Sequence, residues 1–219
     1  MASEPIGIVV GLRAEARIAR KLGWQVAIGG GGAAGAARAA ARLREAGVRS
    51  LVSFGLAGAL DPALRPGDIV APRAVLLDGA RLDCDPALTA RLGGATPHLL
   101  LAADEVAVSA DHKRLLFRHT HAHAIDIETA AVARAAMQAG LAFAVLRAIC
   151  DPANCSLPPA ALAALDARGA IGLGRVLRSL LRHPRQIRDL RELAADATLA
   201  RRALIGRVAA LAAAPGPGS

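Results

Sequence analysis

Four short segments of this chain combine residue types that can do acid–base or polar-recognition chemistry. Asp126-Ile127-Glu128 sets two carboxylates two residues apart, where an alternating stretch gives way to a helical one. In extended geometry the two side chains share a face and could accept hydrogen bonds from sugar hydroxyls. The alternative is an acid at a helix N-terminus, held by the helix dipole, with Asp126 as the cap. Asp151 follows the apolar run 141–149 (LAFAVLRAI) and precedes Pro152. An acid at the carboxyl end of a buried strand, partly desolvated, can carry a raised pKa and act as a general acid. An Asp before Pro is also an ordinary turn residue.

The other two segments are rich in small residues. Gly30, Gly32 and Gly35 fit G-x-G-x-x-G between a strand and a helix, which is the form of a dinucleotide fingerprint. The unit is not the first strand, however, and no acid follows at the usual distance, with Glu45 too early and Asp61 too late. Close approach of the Gly30-Gly31-Gly32 backbone to another ligand, such as phosphate at the helix N-terminus, is the better reading. A nicotinamide-dependent reductase is the rival. In SFGLAGALDPALRPGDIV (residues 53–70), Gly55 is followed by Ala57, Gly58 and Ala59. Such residues leave room for a flat ring against the backbone, or simply make a tight turn. His119, His121 and His123 alternate, and on a strand they could converge on a metal. No further ligand is evident, so surface histidines and no metal site are expected.

The elements that must position these groups alternate from the start. Apolar periodicity predicts strands over 5–11, 24–28, 50–54, 68–77, 105–109, 122–127 and 141–149. Helices are predicted over 12–22, 33–46 (closed by Gly47) and 86–92, from Ser109 or Asp111 as cap through 117, over 128–139, and over 158–182 and 185–211, broken near His183-Pro184. Residues 55–67 read as a loop. This alternation implies an α/β fold, a three-layer α/β/α sandwich with a central mixed β-sheet. The organisation expected is a catalytic domain over 1–182 and a basic helical extension with a frayed tail over 183–219.

Composition narrows the class. Of 219 residues, 54% are hydrophobic, which excludes a disordered chain, while only 2% are aromatic, so Ala, Leu, Val and Ile must fill the core. The formal net charge is +9, and ten Arg against four acids from Asp166 onward place +6 of it there. The aromatics of a single-strand nucleic-acid binder are missing. Arg175, Arg178, Arg182 and Arg185 fall at helical spacing beside Leu177, Leu180 and Leu181. They form either a solvated face or a membrane-surface face. Lys occurs only at Lys21 and Lys113, with Arg as the other 25 of 27 basic residues. Cys84, Cys150 and Cys155 suit neither a disulfide framework nor a zinc site. With no signal peptide and no apolar run long enough to span a bilayer, a cytoplasmic protein is expected, with contact at the inner membrane left open.

Taken in order, IGIVVGLRAEA, the glycine turn with its helix, GLAGALDPALRPGDIV, AIDIETAAVARAA and LRAICDPAN resemble the purine nucleoside phosphorylase and nucleosidase family over residues 5–180. The resemblance implies that Asp151 protonates the imidazole ring of a purine leaving group. Glu128 would bind ribose hydroxyls, with Asp126 and Ile127 in the same segment, and Glu15 would activate water, as in the hydrolytic members. It places Ala57, Gly58 and Cys150 on the purine side. Ser53 and Leu56 stand where the hexameric phosphorylases hold phosphate with Arg and Ser, so a phosphate grip would move to Gly30, Gly31, Gly32 and Arg13, with Ser53 nearby. The short length, the GLRAEAR opening and the compressed middle look most like the hopanoid-associated branch, which removes adenine from adenosylhopane. The expectations are an adenosyl substrate, a homo-oligomer, no cofactor, and phosphate as co-substrate, with hydrolysis of methylthioadenosine or a similar nucleoside as the alternative. A catalytically silent nucleoside-binding module is the rival outside enzymes.

Overall fold

The computed structural model describes residues 4–158 and 186–213. Strand β1 (Ile6–Val10) is buried at all five positions, as a β-branched run covered on both faces must be. It pairs in parallel with β2 (Gln25–Ile28) on one side and β3 (Ser50–Ala59) on the other. Strand β3 in turn runs parallel to β9 (Ala142–Asp151), from Ser50 opposite Ala142 onward. At its far end β3 also pairs, antiparallel, with β8 (Ala124–Asp126) through Gly58 and Ala59. Beyond β8 lie β7 (Leu100–Ala102), β5 (Ala74–Leu77) and β6 (Ala80–Asp83), while β4 (Ile69–Val70) lies antiparallel on the other edge of β9. The result is a nine-stranded mixed sheet that forks at β3.

Alternate residues of the central strands feed two apolar layers. On one face, helices α2 (Ala33–Glu45) and α5 (Thr129–Ala139) pack through Ala36, Ala39, Ala40 and Leu43 against Ala130, Ala133 and Ala136. Small alanine side chains let these helices approach closely, which replaces the missing aromatic bulk. On the other face lie α1 (Arg13–Ala19, extended by a 3-10 turn at Arg20–Leu22), α3 (Pro86–Arg91) and α6 (Gln186–Ala213). The stripe Ala200, Leu204 and Val208 of α6, spaced by four, is fully buried with Ile8, Phe54 and Leu146. Helix α6 therefore belongs to the same core as the sheet. Helix α4 (Ala110–Thr120) covers the β7–β8 end. The layers and the mixed sheet match the expected α/β/α sandwich.

Local expectations fail where pairing or a proline overrides propensity. The loop expected from residue 55 is instead the second half of β3: its Gly- and Ala-rich backbone is held by ladders to β9 and β8. The strand expected over 68–77 divides into β4 and β5 at Pro72, which has no N–H to give. Residues 105–109 form no strand; the strand is β7, five residues earlier. Strand β6, charged and exposed at three of its four positions, gave no apolar signal. Ser109, not Asp111, caps α4, accepting the His112 N–H at 3.1 Å. His119 lies in the last turn of α4 and His121 is its left-handed C-cap, so the three histidines do not share a strand. His123 Nδ1 accepts the Leu99 N–H at 3.0 Å. No cluster of three or more potential metal ligands occurs among the described residues. The helix expected over 158–182, from its second residue on, and the arginines at 175, 178, 182 and 185 lie outside the described residues.

Candidate active site

Strand β9 carries Arg147 into the interior, where its side chain has no solvent exposure. A buried guanidinium must be paired with opposite charge and hydrogen-bonded, and here both terminal nitrogens are hydrogen-bonded while Nε has an ion-pair contact alone. Its Nε lies 2.9 Å from Asp126 Oδ2, an ion-pair contact without hydrogen-bond alignment. Nη1 donates to Glu128 Oε2 at 2.9 Å and to the Leu56 carbonyl at 3.3 Å. Nη2 donates to Ser53 Oγ at 2.7 Å and to Thr129 Oγ1 at 3.2 Å.

Asp126 ends β8, two residues before Glu128, the N-cap of α5. Its Oδ1 accepts the N–H groups of Glu128 at 2.8 Å and Thr129 at 2.7 Å, while Oδ2 accepts the Thr129 hydroxyl. Closing the turn ahead of α5 and pairing with Arg147 thus coexist in one side chain. Glu128 has φ −105° and ψ −33°, so the two carboxylates meet through Arg147 and not, as expected, through extended alternation. Gly11 follows the last residue of β1, at a place where a Cβ would overlap Glu128 Oε1. Only glycine lets the backbone pass so close to this carboxylate.

Glu15 enters from the first turn of α1. Its Oε2 reaches back to the Leu12 N–H at 2.8 Å, and its Oε1 accepts the Leu56 N–H across the sheet at 3.1 Å. A Cβ on Gly55 would stand 2.6 Å from Glu15 Oε1 and 2.8 Å from Arg147 Nη1, so both groups crowd the same side of β3 at this glycine. Burial pushes the Glu15 carboxyl up to about 7, helped by the charge of Glu128 and opposed by Arg147 and the two backbone N–H groups. Glu128 is also raised, chiefly by burial and then by Asp126, against the pull of Arg147.

The second group forms at the end of β9. The pairing passes from Ala57 opposite Ile149 to Gly58 opposite Asp151, skipping Cys150. This bulge re-aims the last residue of the strand. Asp151 Oδ2 lies 2.6 Å from Lys113 Nζ and 3.3 Å from where a Cβ of Gly58 would be. Its carboxyl is raised by burial, with Lys113 pulling the other way. A cavity of about 290 Å³ opens beside it, bounded across the way by Asp189, Glu192 and Asp196 of α6. Gly55 and Gly58 are three residues apart on β3, roughly 10 Å at a strand rise of about 3.3 Å per residue. The two acid groups therefore border β3 at neighbouring places, although the cavity beside Asp151 is lined by none of Glu15, Glu128 and Arg147.

The family model for the Phosphorylase superfamily matches this chain over residues 12–110 and 99–182. The chain belongs to the Phosphorylase superfamily. Solved structures agree on the fold. Futalosine hydrolase of Helicobacter pylori superposes with a TM-score of 0.65 at 17% identity, over 94% of this chain and 98% of that one. A putative 5'-methylthioadenosine/S-adenosylhomocysteine nucleosidase from Francisella philomiragia gives 0.69 at 16%, over 95% and 98%. The S-adenosylhomocysteine nucleosidase from Streptococcus pyogenes, in complex with 5-methylthiotubericidin, gives 0.65 at 18%, over 95% and 97%. None of the curated protein sequences matches the chain.

For a Phosphorylase superfamily member the glycine turn needs no dinucleotide. A Cβ on Gly35 would overlap the Gly29 carbonyl, so that glycine serves helix-on-strand packing. The Gly30 N–H donates to the Gly11 carbonyl at 3.0 Å, which sets half-buried Gly30, Gly31 and Gly32 beside the Glu128 segment. Arg13 opens α1 with its side chain exposed. Ser53 is a correction to the phosphate set: it is fully buried and its hydroxyl is shared between Arg147 and Thr129, so it supports Arg147 and faces no open space. Ala57 is buried, while Gly58, Ile127 and Cys150 are half-buried. Sequence reasoning missed Arg147 and Lys113. A lone charge inside the run LAFAVLRAI, and one of only two lysines in an arginine-rich chain, were the available signals.

Proposed function

We propose that this chain releases adenine from an adenosyl compound by hydrolysis of its N-glycosidic bond. The observation that supports this best is the placing of Asp151 and the Glu15–Glu128–Arg147 group at two points on one stretch of β3. In this reading Asp151 breaks its O–H bond and the proton goes to the imidazole ring of the purine. The glycosidic bond then breaks with its electron pair left on a neutral base. Glu128 accepts hydrogen bonds from the ribose hydroxyls and faces the positive charge that develops on the sugar carbon. Glu15, raised to about 7, takes the proton of the attacking water. Ala57, Gly58, Ile127 and Cys150 offer the small and apolar surface around base and sugar. Chromatography of adenine and of the sugar product, with and without phosphate, tests this on methylthioadenosine, S-adenosylhomocysteine and adenosylhopane. Free sugar and adenine without phosphate, abolished in Asp151→Asn, is the expected result. Full activity in Asp151→Asn overturns it.

Phosphorolysis is the second reading. It is supported by the Gly30-Gly31-Gly32 turn at the start of α2, beside Glu128 and near Arg13, where backbone N–H groups and the helix dipole favour an anion. Under it, adenosylhopane remains the substrate suggested by the opening and middle of the sequence, and sugar 1-phosphate forms. A lipid substrate does not need a membrane-spanning helix, and among the described residues none is long and apolar enough to be one.

A further inference from the structure

We propose that Lys113 is a positioning residue for the acid step: its ammonium orients the Asp151 carboxyl and receives the negative charge left there when the proton moves to the departing base. This rests on the reading of Asp151 as the acid.

The geometry is that of a made socket. The Lys113 side chain has no solvent exposure, and its Nζ meets three acceptors: Asp151 Oδ2 at 2.6 Å and the carbonyls of Pro152 and Cys155 at 2.9 Å each. Three acceptors match the three donors of an ammonium, and a planar guanidinium with five donors would leave N–H groups orphaned there. The chain uses Arg at 25 of its 27 basic positions, yet has Lys at this one. The other lysine, Lys21, is exposed. Helix α4 fixes the side chain from below, with the Lys113 N–H bonded to the Ser109 carbonyl at 3.0 Å.

Among the described residues, the other groups facing Asp151 carry no positive charge. Strand β3 presents only Gly58, strand β9 and the following loop present Cys150 and Cys155, and α6 presents Asp189, Glu192 and Asp196 across the cavity. Among the described residues Lys113 is thus the cation on this carboxyl. In the acid step the Asp151 O–H bond breaks, an N–H bond forms on the base, and Lys113 keeps its three protons throughout. Without it, the new carboxylate would sit in a desolvated site facing further acids. Asp151 would hold its proton more tightly and deliver it less readily.

The same contacts also tie the loop after β9 to α4, as do the Leu157 N–H to the Val108 carbonyl at 2.8 Å and the Ala110 N–H to Ser156 Oγ at 3.1 Å. The test must therefore read more than stability. The experiment is the pH profile of kcat/KM for wild type, Lys113→Met and Asp151→Asn. Loss of the ammonium should move the alkaline limb upward by about one to three pH units, the range for a carboxylate beside a cation, and lower the plateau rate. A folded Lys113→Met with the wild-type limb, beside an inactive Asp151→Asn, overturns this proposal alone. An active Asp151→Asn overturns the reading of the acid on which it rests. Should Lys113→Met not fold, wild type labelled with ¹³Cε-lysine gives two lysine signals. That of Lys113 should remain an ammonium and step at the pH of the alkaline limb. No step there overturns the proposal.

Discussion

Replacing Glu15 by Gln should reverse its effect on stability between acid and alkaline pH. The Glu15 carboxyl is raised from 4.5 to about 7 in the fold. Because the folded value lies above the unfolded one, the stability this group contributes is full below about 4.5 and disappears as pH rises through 7. Between pH 5 and 8.5 that amounts to a loss of about 2.5 kcal/mol in wild type, from the linkage relation at 1.36 kcal/mol per pKa unit. A glutamine does not titrate, so this slope should vanish. Its amide presents one oxygen to the two N–H groups of Leu12 and Leu56 that now share the carboxyl. One of these is left unmatched, at a cost of about 1–2 kcal/mol at any pH. The variant should therefore be less stable than wild type at pH 5 and equal or more stable at pH 8.5. Urea unfolding followed by circular dichroism at the two pH values measures the double difference, in which titrations common to both proteins cancel. A variant that keeps the wild-type slope would refute the claim that Glu15 is buried and proton-binding in the fold. In the same variant, loss of the base should lower kcat by about 10²- to 10⁴-fold.

Two further perturbations probe the group around Leu56. Arg147→Met leaves Asp126 and Glu128 buried without their cation and should lower stability by about 3–5 kcal/mol at neutral pH. The deficit should shrink in acid, where the Glu128 carboxyl, raised by burial, takes up a proton, and thermal unfolding at pH 4.5 and 7.5 measures it. Gly11→Ala puts a methyl where Glu128 Oε1 lies, so the carboxylate must turn away; KM for the nucleoside should rise while the far-ultraviolet circular dichroism stays that of wild type.

How far the sequence disclosed this arrangement differs residue by residue. Strands β1, β3 and β9 are continuous apolar runs buried on both faces, so periodicity found their beginnings and the layered fold followed. The second half of β3 was hidden because Gly and Ala have little strand propensity, and only its two ladders make it a strand. Asp126, Glu128 and Asp151 were visible as acids at element ends, but what they touch was not. Asp126 reaches Arg147 across 21 residues of sequence and Lys113 reaches Asp151 across 38; no local pattern reports such pairs. Arginine in the middle of LAFAVLRAI held the clearest unused signal, since a charge on a doubly covered strand requires partners of opposite sign. The one-residue bulge at Cys150, which re-aims Asp151, comes from matching β9 against β3 and leaves no mark in β9 itself.

The choice of nucleophile follows from charge around Leu56. The guanidinium of Arg147 is already engaged, its terminal nitrogens by hydrogen bonds to Glu128, Ser53, Thr129 and the Leu56 carbonyl and its Nε by the ion pair with Asp126. Against this single cation stand Asp126, Glu128 and, above about pH 7, an ionised Glu15. A phosphate dianion brought within about 4 Å of an unbalanced carboxylate meets a repulsion of about 4 kcal/mol per charge pair at an effective dielectric constant of 20. Water meets none, and it finds in Glu15 a base half ionised near neutrality. Saturating phosphate should therefore leave the rate of adenine release unchanged. Ionic strength held constant with sulfate would separate a specific effect from screening. Strict dependence on phosphate, with sugar 1-phosphate as product, would refute the argument. It would mean that the backbone of Gly30-Gly31-Gly32, with Arg13, outweighs the carboxylates beside it.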